Sequence, residues 1–314
     1  MSGPSDPVRP RLDRTDRPSV GKHGQVLVGI TSMLTDLTMS PSELAVAVEE
    51  RGFESLWLPE HSHIPTSRES PWPGARPGSD EPLPYHYSRY HDLFVSLSMA
   101  AAVTSRLRLG SSVCLVAQHD PIQLAKQVAT LDHLSGGRVI LGIGYGWNRE
   151  EAANHGMVEW GARREIVREK VAAMRRLWTD EVASFDGEHV RVAPSWMWPK
   201  PAQPGGPRVI LGGGWGPKLC EAVAEWADGW MPITARSSLV GRVEGLWDAC
   251  ARAGRDPATV EIDAIGAAPD ASSLAGLRAE GVHRAILTVW DEDREHALRS
   301  LDRFAAVRDE LDGR

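Results

Sequence analysis

Two glycine-rich segments close short apolar runs and offer the residue types that bind phosphate. Residues 138–147 end in Gly-Ile-Gly-Tyr-Gly-Trp, and residues 208–217 end in Gly-Gly-Gly-Trp-Gly-Pro. Glycine allows bare backbone N–H groups to approach an anion closely, and a helix that follows adds its positive end. Because the two segments lie about 70 residues apart, we expect two strand ends that act together on one anionic ligand.

A second candidate for chemistry follows the apolar run of residues 55–59. Glu60 and His61 come directly after this run, where a barrel enzyme carries its catalytic groups. An imidazole is the side chain most often used as a general acid or base near neutral pH. We therefore take His61 as the candidate acid or base; the alternative is a histidine that only packs at the end of a strand.

Two other kinds of site fit the sequence less well. The pair His61 and His63 has the spacing of a barrel metal site, but such a site needs further ligands at later strand ends, where this chain carries glycines, Trp215 and Pro232. The first glycine segment reads G-x-G-x-G, whereas a dinucleotide site reads G-x-G-x-x-G and has an acidic residue about 20 positions later. The sequence therefore predicts no metal and no dinucleotide fold.

The elements that must position these residues alternate regularly along the chain. Short apolar runs, each followed by a helical pattern, occur eight times in about 290 residues, which is typical of a (β/α)8 TIM barrel of the α/β class. The predicted strands are residues 26–31, 55–59, 107–115, 139–143, 209–212, 229–232, 260–265 and 284–288. Insertions follow strands two and four: a long Pro- and Gly-rich stretch at about 60–90 and a hairpin at 181–192. Both glycine segments and the long stretch would share the barrel mouth.

The composition of the chain indicates which binding partners and which cellular compartment to expect. The net charge of -7 argues against binding to nucleic acid or to an anionic membrane, and no apolar run approaches the length of about 18 residues that a membrane helix needs. Residues 1–23 are rich in Pro, Arg, Asp and Ser and predict a disordered tail, with one domain over 24–314. The three cysteines fit buried, reduced thiols of a cytoplasmic protein.

Several motifs together resemble one family. They are Leu-Trp-Leu-Pro-Glu-His at 56–61, Arg-Leu-Gly-Ser-Ser-Val at 108–113, Asp-His-Leu-Ser-Gly-Gly-Arg at 132–138 with the glycine segment that follows it, the three glycines at 212–214, and Ala-Asp-Gly-Trp at 227–230. In combination they resemble the bacterial luciferase-like superfamily, in its deazaflavin-dependent branch. The resemblance covers residues 26–235 in detail and the remainder by architecture.

This resemblance implies a barrel whose mouth holds a flavin-type ring, here coenzyme F420 with FMN as the alternative. The ring would rest on a bulge after strand three that contains a cis peptide, matched to Ser112 and Val113. His61 matches the histidine beside the hydride-carrying carbon, with Glu60 expected to orient or tune it, and Trp147 would wall the pocket. The phosphate would be held by Tyr145, Gly146, Gly213 and Gly214.

The implied activity is hydride transfer between the deazaflavin and a small organic molecule. Trp147 and Asn148 stand where relatives that oxidise sugar phosphates carry a carboxylate, and the predicted mouth is rich in aromatic residues, which favours an apolar or planar substrate. The alternatives are an FMN-dependent monooxygenase supplied with reduced flavin by a separate reductase, and a barrel that binds the cofactor without catalysis. The helix patterns leave a homodimer open.

Overall fold

The apolar runs form a closed barrel of eight parallel strands in the computed structural model, which describes residues 26–75, 81–234, 238–290 and 293–313. The strands are β1 (Leu27–Ser32), β2 (Ser55–Leu58), β3 (Arg108–Ser111), β4 (Val139–Ile143), β5 (Ala183–Asp186), β6 (Arg191–Ser195), β7 (Arg208–Gly212), β8 (Gly229–Met231), β9 (Glu261–Ile265) and β10 (Arg284–Val289). The barrel closes where β10 pairs with β1, and β5 and β6 form a separate antiparallel hairpin. The predicted TIM barrel and its hairpin insertion are confirmed. The predicted tail at residues 1–23 lies outside the described residues.

Helices follow the strands, as the sequence predicts. They are α1 (Pro41–Glu50), α2 (Leu93–Val103), α3 (Pro121–Ser135), α4 (Arg149–Asn154), α5 (Arg163–Thr179), α6 (Pro217–Glu225), α7 (Arg242–Arg252), α8 (Ala271–Ala279) and α9 (Arg294–Leu311). The start of α1 is typical: Ser40 accepts a hydrogen bond from the N–H of Glu43, and Pro41 occupies the first turn. In the part of the chain that the structure describes, no helix is both long and apolar enough to cross a membrane.

Two of the differences from the sequence prediction lie at the barrel mouth. Strand β3 ends at Ser111 and not at Leu115, because the chain leaves the sheet through a bulge at Ser112 and Val113. The short helix α4, between β4 and α5, is absent from the prediction, since six residues are too few for a helical period to be visible. Both segments carry residues of the candidate site described below.

The barrel interior is filled by large apolar side chains, and the described helices pack against its outside. The interior cluster comprises Trp57, Ile140, Ile210, Met231 and Ile286. The indole of Trp57 is fully buried, and its Nε1–H donates to the Ser55 hydroxyl at 2.8 Å. The interior is therefore packed below the mouth, as in other barrels of this type, and any ligand must bind at the open end.

A buried ionic cluster occupies the opposite end of the barrel from the mouth. The fully buried guanidinium of Arg284 donates to Glu54 at 2.7 and 2.9 Å and to Asp263 at 2.7 Å. Burial raises the pKa of Asp263 to about 7 although Arg284 is beside it. Burial also acts to raise the pKa of Glu54, but Arg284 outweighs it and lowers that pKa to about 2. The stability contributed by Glu54 is present above its ordinary pKa and is lost as the pH falls toward 2.

We expect Arg284→Met to lower the free energy of unfolding by about 3 to 5 kcal/mol at neutral pH, because it leaves buried carboxylates without their counter-charge. The control is Arg299→Met, which removes an exposed ion pair with Glu295 and should cost less than about 1 kcal/mol. Urea denaturation of both variants measures the difference, and equal losses would contradict a structural role for the cluster.

Candidate active site

His61 and Glu151 form a buried pair at the barrel mouth. The Nδ1 of His61 lies 2.6 Å from Oε2 of Glu151, and both side chains are almost fully buried, at 6% and 0% exposure. The other carboxylate oxygen, Oε1, accepts the backbone N–H of Ser62 at 3.1 Å. His61 follows β2, and Glu151 lies in α4, so two separate loops of the mouth deliver the pair.

The hydrogen bonds of His61 determine which ring nitrogen carries the proton. The indole N–H of Trp147 donates to Nε2 at 3.2 Å, so Nε2 must present its lone pair. The proton of a neutral imidazole is then on Nδ1, where it is donated to the carboxylate of Glu151. This is the arrangement of a general base whose reactive nitrogen faces away from its carboxylate partner.

Glu151 was not predicted from the sequence, where the orienting role was assigned to Glu60. A signal for it exists: Asn148 caps α4 and accepts the N–H of Glu151 at 3.2 Å, and Asn followed three residues later by Glu is a known helix-start pattern. The pattern predicts the start of a helix, but it does not predict that Glu151 contacts His61, which is 90 residues away in the chain. Only the fold brings Glu151 to His61.

Glu60 faces away from the catalytic candidate. Its Oε1 accepts a hydrogen bond from Nε2 of His119 at 2.8 Å, and its Oε2 accepts the N–H of Leu115 at 2.5 Å. The expectation that Glu60 orients His61 is therefore wrong, because its carboxylate is used by the segment that follows β3. That segment contains the bulge matched to the cofactor ring.

The predicted cis peptide between Ser112 and Val113 is present. The backbone around it is tied to both neighbouring strands: the N–H of Ser112 donates to Leu58 at 2.8 Å, and the N–H of Cys114 donates to Gly142 at 2.8 Å. The hydroxyl of Ser112 lies 3.3 Å from that of Thr31. The bulge is thus a fixed platform between the ends of β2 and β4.

Glycines from both segments make room for Val113. A Cβ atom at Gly144 would lie 2.6 Å from one methyl group of Val113, and a Cβ atom at Gly212 would lie 2.7 Å from the other. Neither distance is compatible with a side chain unless the valine moves. Part of the glycine content first interpreted as a phosphate signal is therefore required for the packing of the bulge.

We expect Gly212→Ala to lower the free energy of unfolding by about 1 to 3 kcal/mol, because the added methyl group overlaps Val113. Gly276→Ala is the matched control: it lies in α8 with nothing within 4 Å, so the change should be neutral or stabilising. Thermal unfolding of both variants shows whether each substitution lowers or raises stability. A Gly212→Ala variant as stable as the wild type would show that Val113 does not need this space.

The remaining matched glycines, Gly146, Gly213 and Gly214, follow the strands β4 and β7. Strands β4 and β7 are neighbours, with Ile143 opposite Leu211, so the two glycine segments end side by side as expected. Gly146 has φ +75°, and a Cβ atom at Gly214 would meet nothing within 4 Å. The carbonyl oxygen of Gly213 accepts a hydrogen bond from Nε1 of Trp230 at 2.9 Å, which fixes the loop before α6.

Tyr145 lies at the same edge of the mouth, next to a basic side chain. The guanidinium of Arg164 stacks on its ring at 4.6 Å from the centroid. Burial raises the pKa of the Tyr145 hydroxyl although Arg164 opposes this effect. A neutral phenol and a nearby arginine are both suited to an anionic group between the two glycine segments.

Aromatic rings from the long segment after β2 and from the loop after β4 surround His61. The ring centroids of Tyr87, Trp147 and Tyr90 lie 5.4, 5.5 and 6.0 Å from that of the imidazole. Nε1 of Trp72 donates to the hydroxyl of Tyr87 at 3.0 Å and ties the segment together. These rings cover the candidate base, whereas two other tryptophans, Trp196 and Trp198, are exposed after the hairpin.

His61 and His63, which have the spacing of a metal-binding pair, have different hydrogen-bond partners in the structure. His63 bonds to Ser62, whose hydroxyl lies 2.9 Å from Nδ1 of His63 and 2.6 Å from Nε2 of His155. Among the described residues, a group with metal-ligand atoms within 4.8 Å of one another is Glu60, Cys114 and His119. Burial, with the charge of Glu60, raises the pKa of the Cys114 thiol far above its usual value, which opposes metal binding there.

The chain matches known proteins over most of its length. The family described as luciferase-like monooxygenases matches residues 40–269. An uncharacterized protein of Mycobacterium tuberculosis is 41% identical over 279 residues, which cover 88% of this chain and 97% of the relative. The F420-dependent glucose-6-phosphate dehydrogenase of Kineococcus radiotolerans is 30% identical over 234 residues, 70% of this chain and 62% of that protein.

Two solved structures share the fold. Monooxygenase RslO1 from Streptomyces bottropensis has a TM-score of 0.70 at 21% identity, covering 90% of this chain and 98% of its own. An F420-dependent secondary alcohol dehydrogenase, solved with an F420–acetone adduct, has a TM-score of 0.61 at 19% identity and covers 90% and 91%.

Proposed function

The chain belongs to the luciferase-like monooxygenase family, and we propose that it is an F420-dependent oxidoreductase in which His61 is the acid or base. The observation that carries this proposal is the buried His61–Glu151 pair, 2.6 Å apart at the barrel mouth. The pair leaves Nε2 of His61 outside the contact with Glu151, where it accepts the N–H of Trp147 in this structure, and two glycine segments and a fixed bulge lie at the same mouth.

The residues at the mouth fit a flavin-type group. Val113 presents an apolar side chain on a backbone held by neighbouring strands, which suits the face of a ring. Gly214 leaves room for a ligand to approach its backbone, Gly213 precedes it in the same loop, and Tyr145 and Gly146 follow the adjacent strand. We propose that Ser112 and Val113 support the ring and that these four residues hold the phosphate.

Bound F420 would supply a carbon that accepts or donates a hydride. During oxidation, Nε2 of His61 then takes a proton from a substrate hydroxyl. During reduction, it returns the proton to a carbonyl oxygen. Glu151 holds the imidazole in this orientation and stabilises its protonated form through the hydrogen bond to Nδ1. The aromatic segment over His61 excludes water, and the indole of Trp147 must release Nε2 when substrate arrives.

The names of relatives support the cofactor and the reaction class. F420-dependent dehydrogenases occur among the relatives, and one of the solved structures is described as an F420-dependent secondary alcohol dehydrogenase. The rings around His61 favour a small, uncharged alcohol or carbonyl compound with an apolar or planar part. Trp147 and Asn148 follow β4, and neither side chain is the carboxylate that the resemblance implies for relatives that oxidise sugar phosphates.

The second candidate is an FMN-dependent monooxygenase that receives reduced flavin from a separate reductase. The description of the family and the fold shared with RslO1 favour it. The two candidates place the same kinds of residue around a ring, a ribityl chain and a phosphate, so the cofactor decides between them.

Binding titrations of the purified protein with F420 and with FMN test the proposal. We expect tight binding of F420, weaker binding of FMN, and a change in deazaflavin absorbance when a suitable alcohol is added. Tight binding of FMN without binding of F420 would contradict the proposal and favour the monooxygenase. Binding of F420 without any change on addition of substrate would instead indicate a barrel that only carries the cofactor.

A further inference from the structure

Glu60 and His119 form a largely buried ion pair that the proposed proton step does not use. The N–H at Nε2 of His119 donates to Oε1 of Glu60 at 2.8 Å, and the side chains are 27% and 11% exposed. The second oxygen of Glu60 accepts the N–H of Leu115 at 2.5 Å. Each carboxylate oxygen therefore binds a different part of the segment between β3 and α3.

The position of the pair connects it to the bulge. Glu60 follows β2, and Leu115 comes two residues after Val113, so the carboxylate ties the end of one strand to the backbone that leaves the bulge. A second tie comes from α5, where Nζ of Lys170 donates to the carbonyl oxygens of Ala117 and His119 at 2.8 and 2.6 Å. The segment is thus held from two directions.

The charges of the pair are mutually dependent. Burial acts to raise the pKa of Glu60, but the hydrogen bond and charge of His119 outweigh it, and the pKa falls below its ordinary value. Burial acts to lower the pKa of His119, but Glu60 outweighs it and raises that pKa. The charge of Lys170 also acts to lower the pKa of His119, and that of Asp92 acts to raise it. Each group therefore favours the ionised form of the other, and the pair loses its positive charge as the pH rises through the raised pKa of His119.

A metal ion is the alternative use of these side chains, because Cys114 completes a set of three ligand types within 4.8 Å. The geometry favours the ion pair. The carboxylate oxygen and the imidazole nitrogen already bond to each other at 2.8 Å, and the thiol stays protonated because its pKa is raised. A metal would have to break the first contact and ionise the second group.

We propose that Glu60 and His119 are positioning residues that hold the Ser112–Val113 platform in the shape that receives the cofactor ring. The pair then determines how tightly the cofactor binds, while the rate of proton transfer is determined by His61 and Glu151. This inference rests on the proposed function, since it takes the bulge to be the support of a flavin-type ring. It assigns Glu60 a role in binding instead of the catalytic role expected from the sequence.

The test compares cofactor binding in Glu60→Gln and Glu49→Gln. Glu49 is the matched control, because its carboxylate accepts the N–H groups of Ser105, Arg106 and Leu107 at the other end of β3. We expect Glu60→Gln to raise the Kd for F420 and for FMN about 10- to 100-fold and to leave turnover of the fully loaded protein nearly unchanged. Glu49→Gln should leave both Kd values unchanged.

A pH series separates positioning from a general loss of structure. In the wild-type protein, cofactor affinity should fall as the pH rises through the pKa of His119, because the pair then loses its charge. His119→Gln keeps an N–H donor but cannot titrate, so the fall of cofactor affinity with rising pH should disappear in this variant. If Glu60→Gln does not fold, His119→Gln takes its place in the test. NMR titration of His119 should show a lower pKa in Glu60→Gln than in the wild type.

Three results would overturn the inference while the wild type binds a cofactor. They are a Glu60→Gln variant that binds as tightly as the wild type, a fall of affinity with pH that persists in His119→Gln, and stoichiometric metal in the pure protein that binds through Cys114. A wild-type protein that binds neither F420 nor FMN would overturn the proposed function itself, and this inference with it.

Discussion

Replacement of His61 by alanine is expected to lower kcat by about 10³-fold, within the range of 10² to 10⁴ that general acid–base catalysis contributes. The affinity for F420 should change little. His61 is buried beside Glu151 and Trp147, and the residues assigned to the ring and the phosphate belong to other loops. The measurement is steady-state turnover together with a binding titration of the same variant.

The control for this prediction is His63→Ala. His63 lies two residues away and hydrogen bonds with Ser62 and Asn154, so it tests whether any histidine of this loop affects turnover. We expect a small effect. The prediction would be contradicted if His61→Ala lost cofactor binding while turnover per bound cofactor stayed the same.

The second large effect is expected from Glu151→Gln, which should lower kcat by about 10³-fold at similar cofactor affinity. An amide at this position can donate to Nδ1 of His61, which moves the imidazole proton to Nε2 and removes the lone pair that takes up the substrate proton. A carboxylate-to-amide change behind a catalytic histidine costs about 10⁴-fold where this tautomer effect is known. Substrate turnover and F420 binding are measured on the same preparation.

Glu169→Gln is the matched control, because Glu169 is also a buried glutamate and its carboxylate accepts the N–H groups of residues 188–190 in the hairpin. It should lose stability but keep turnover. A Glu151→Gln variant with the activity of the wild type would show that the carboxylate is not needed for the proton step, whatever its contact with His61.

The architecture was accessible from the sequence because it depends on local patterns. Strand β4 begins and ends at the predicted residues, 139 and 143, since this short apolar run lies between Arg138 and Gly144 and is typical of a strand buried on both faces of a parallel sheet. Strand β3 was predicted too long because residues 113–115 remain apolar although the regular strand ends at Ser111. Hydrophobicity alone does not distinguish a strand from a buried bulge.

The site was predicted in part, and the error is instructive. His61 was predicted from its place after a strand and Trp147 from the family resemblance, and the structure brings them within hydrogen-bonding distance. The carboxylate partner was assigned to Glu60 because it is the neighbour in sequence. Adjacent residues of an extended segment point in opposite directions, so Glu60 faces the bulge, and a residue from α4 reaches the histidine instead.

The central claim is that this barrel transfers a hydride between F420 and a small organic substrate, with proton transfer at His61. The most direct test is the absorbance of bound deazaflavin in a single turnover with a panel of small aliphatic and aromatic alcohols. We predict reduction of the cofactor by at least one uncharged alcohol in the wild-type protein and a large decrease of that rate in His61→Ala. The claim would be contradicted if no alcohol of the panel reduced F420 at a saturating concentration of the cofactor, while the same protein consumed oxygen with reduced FMN.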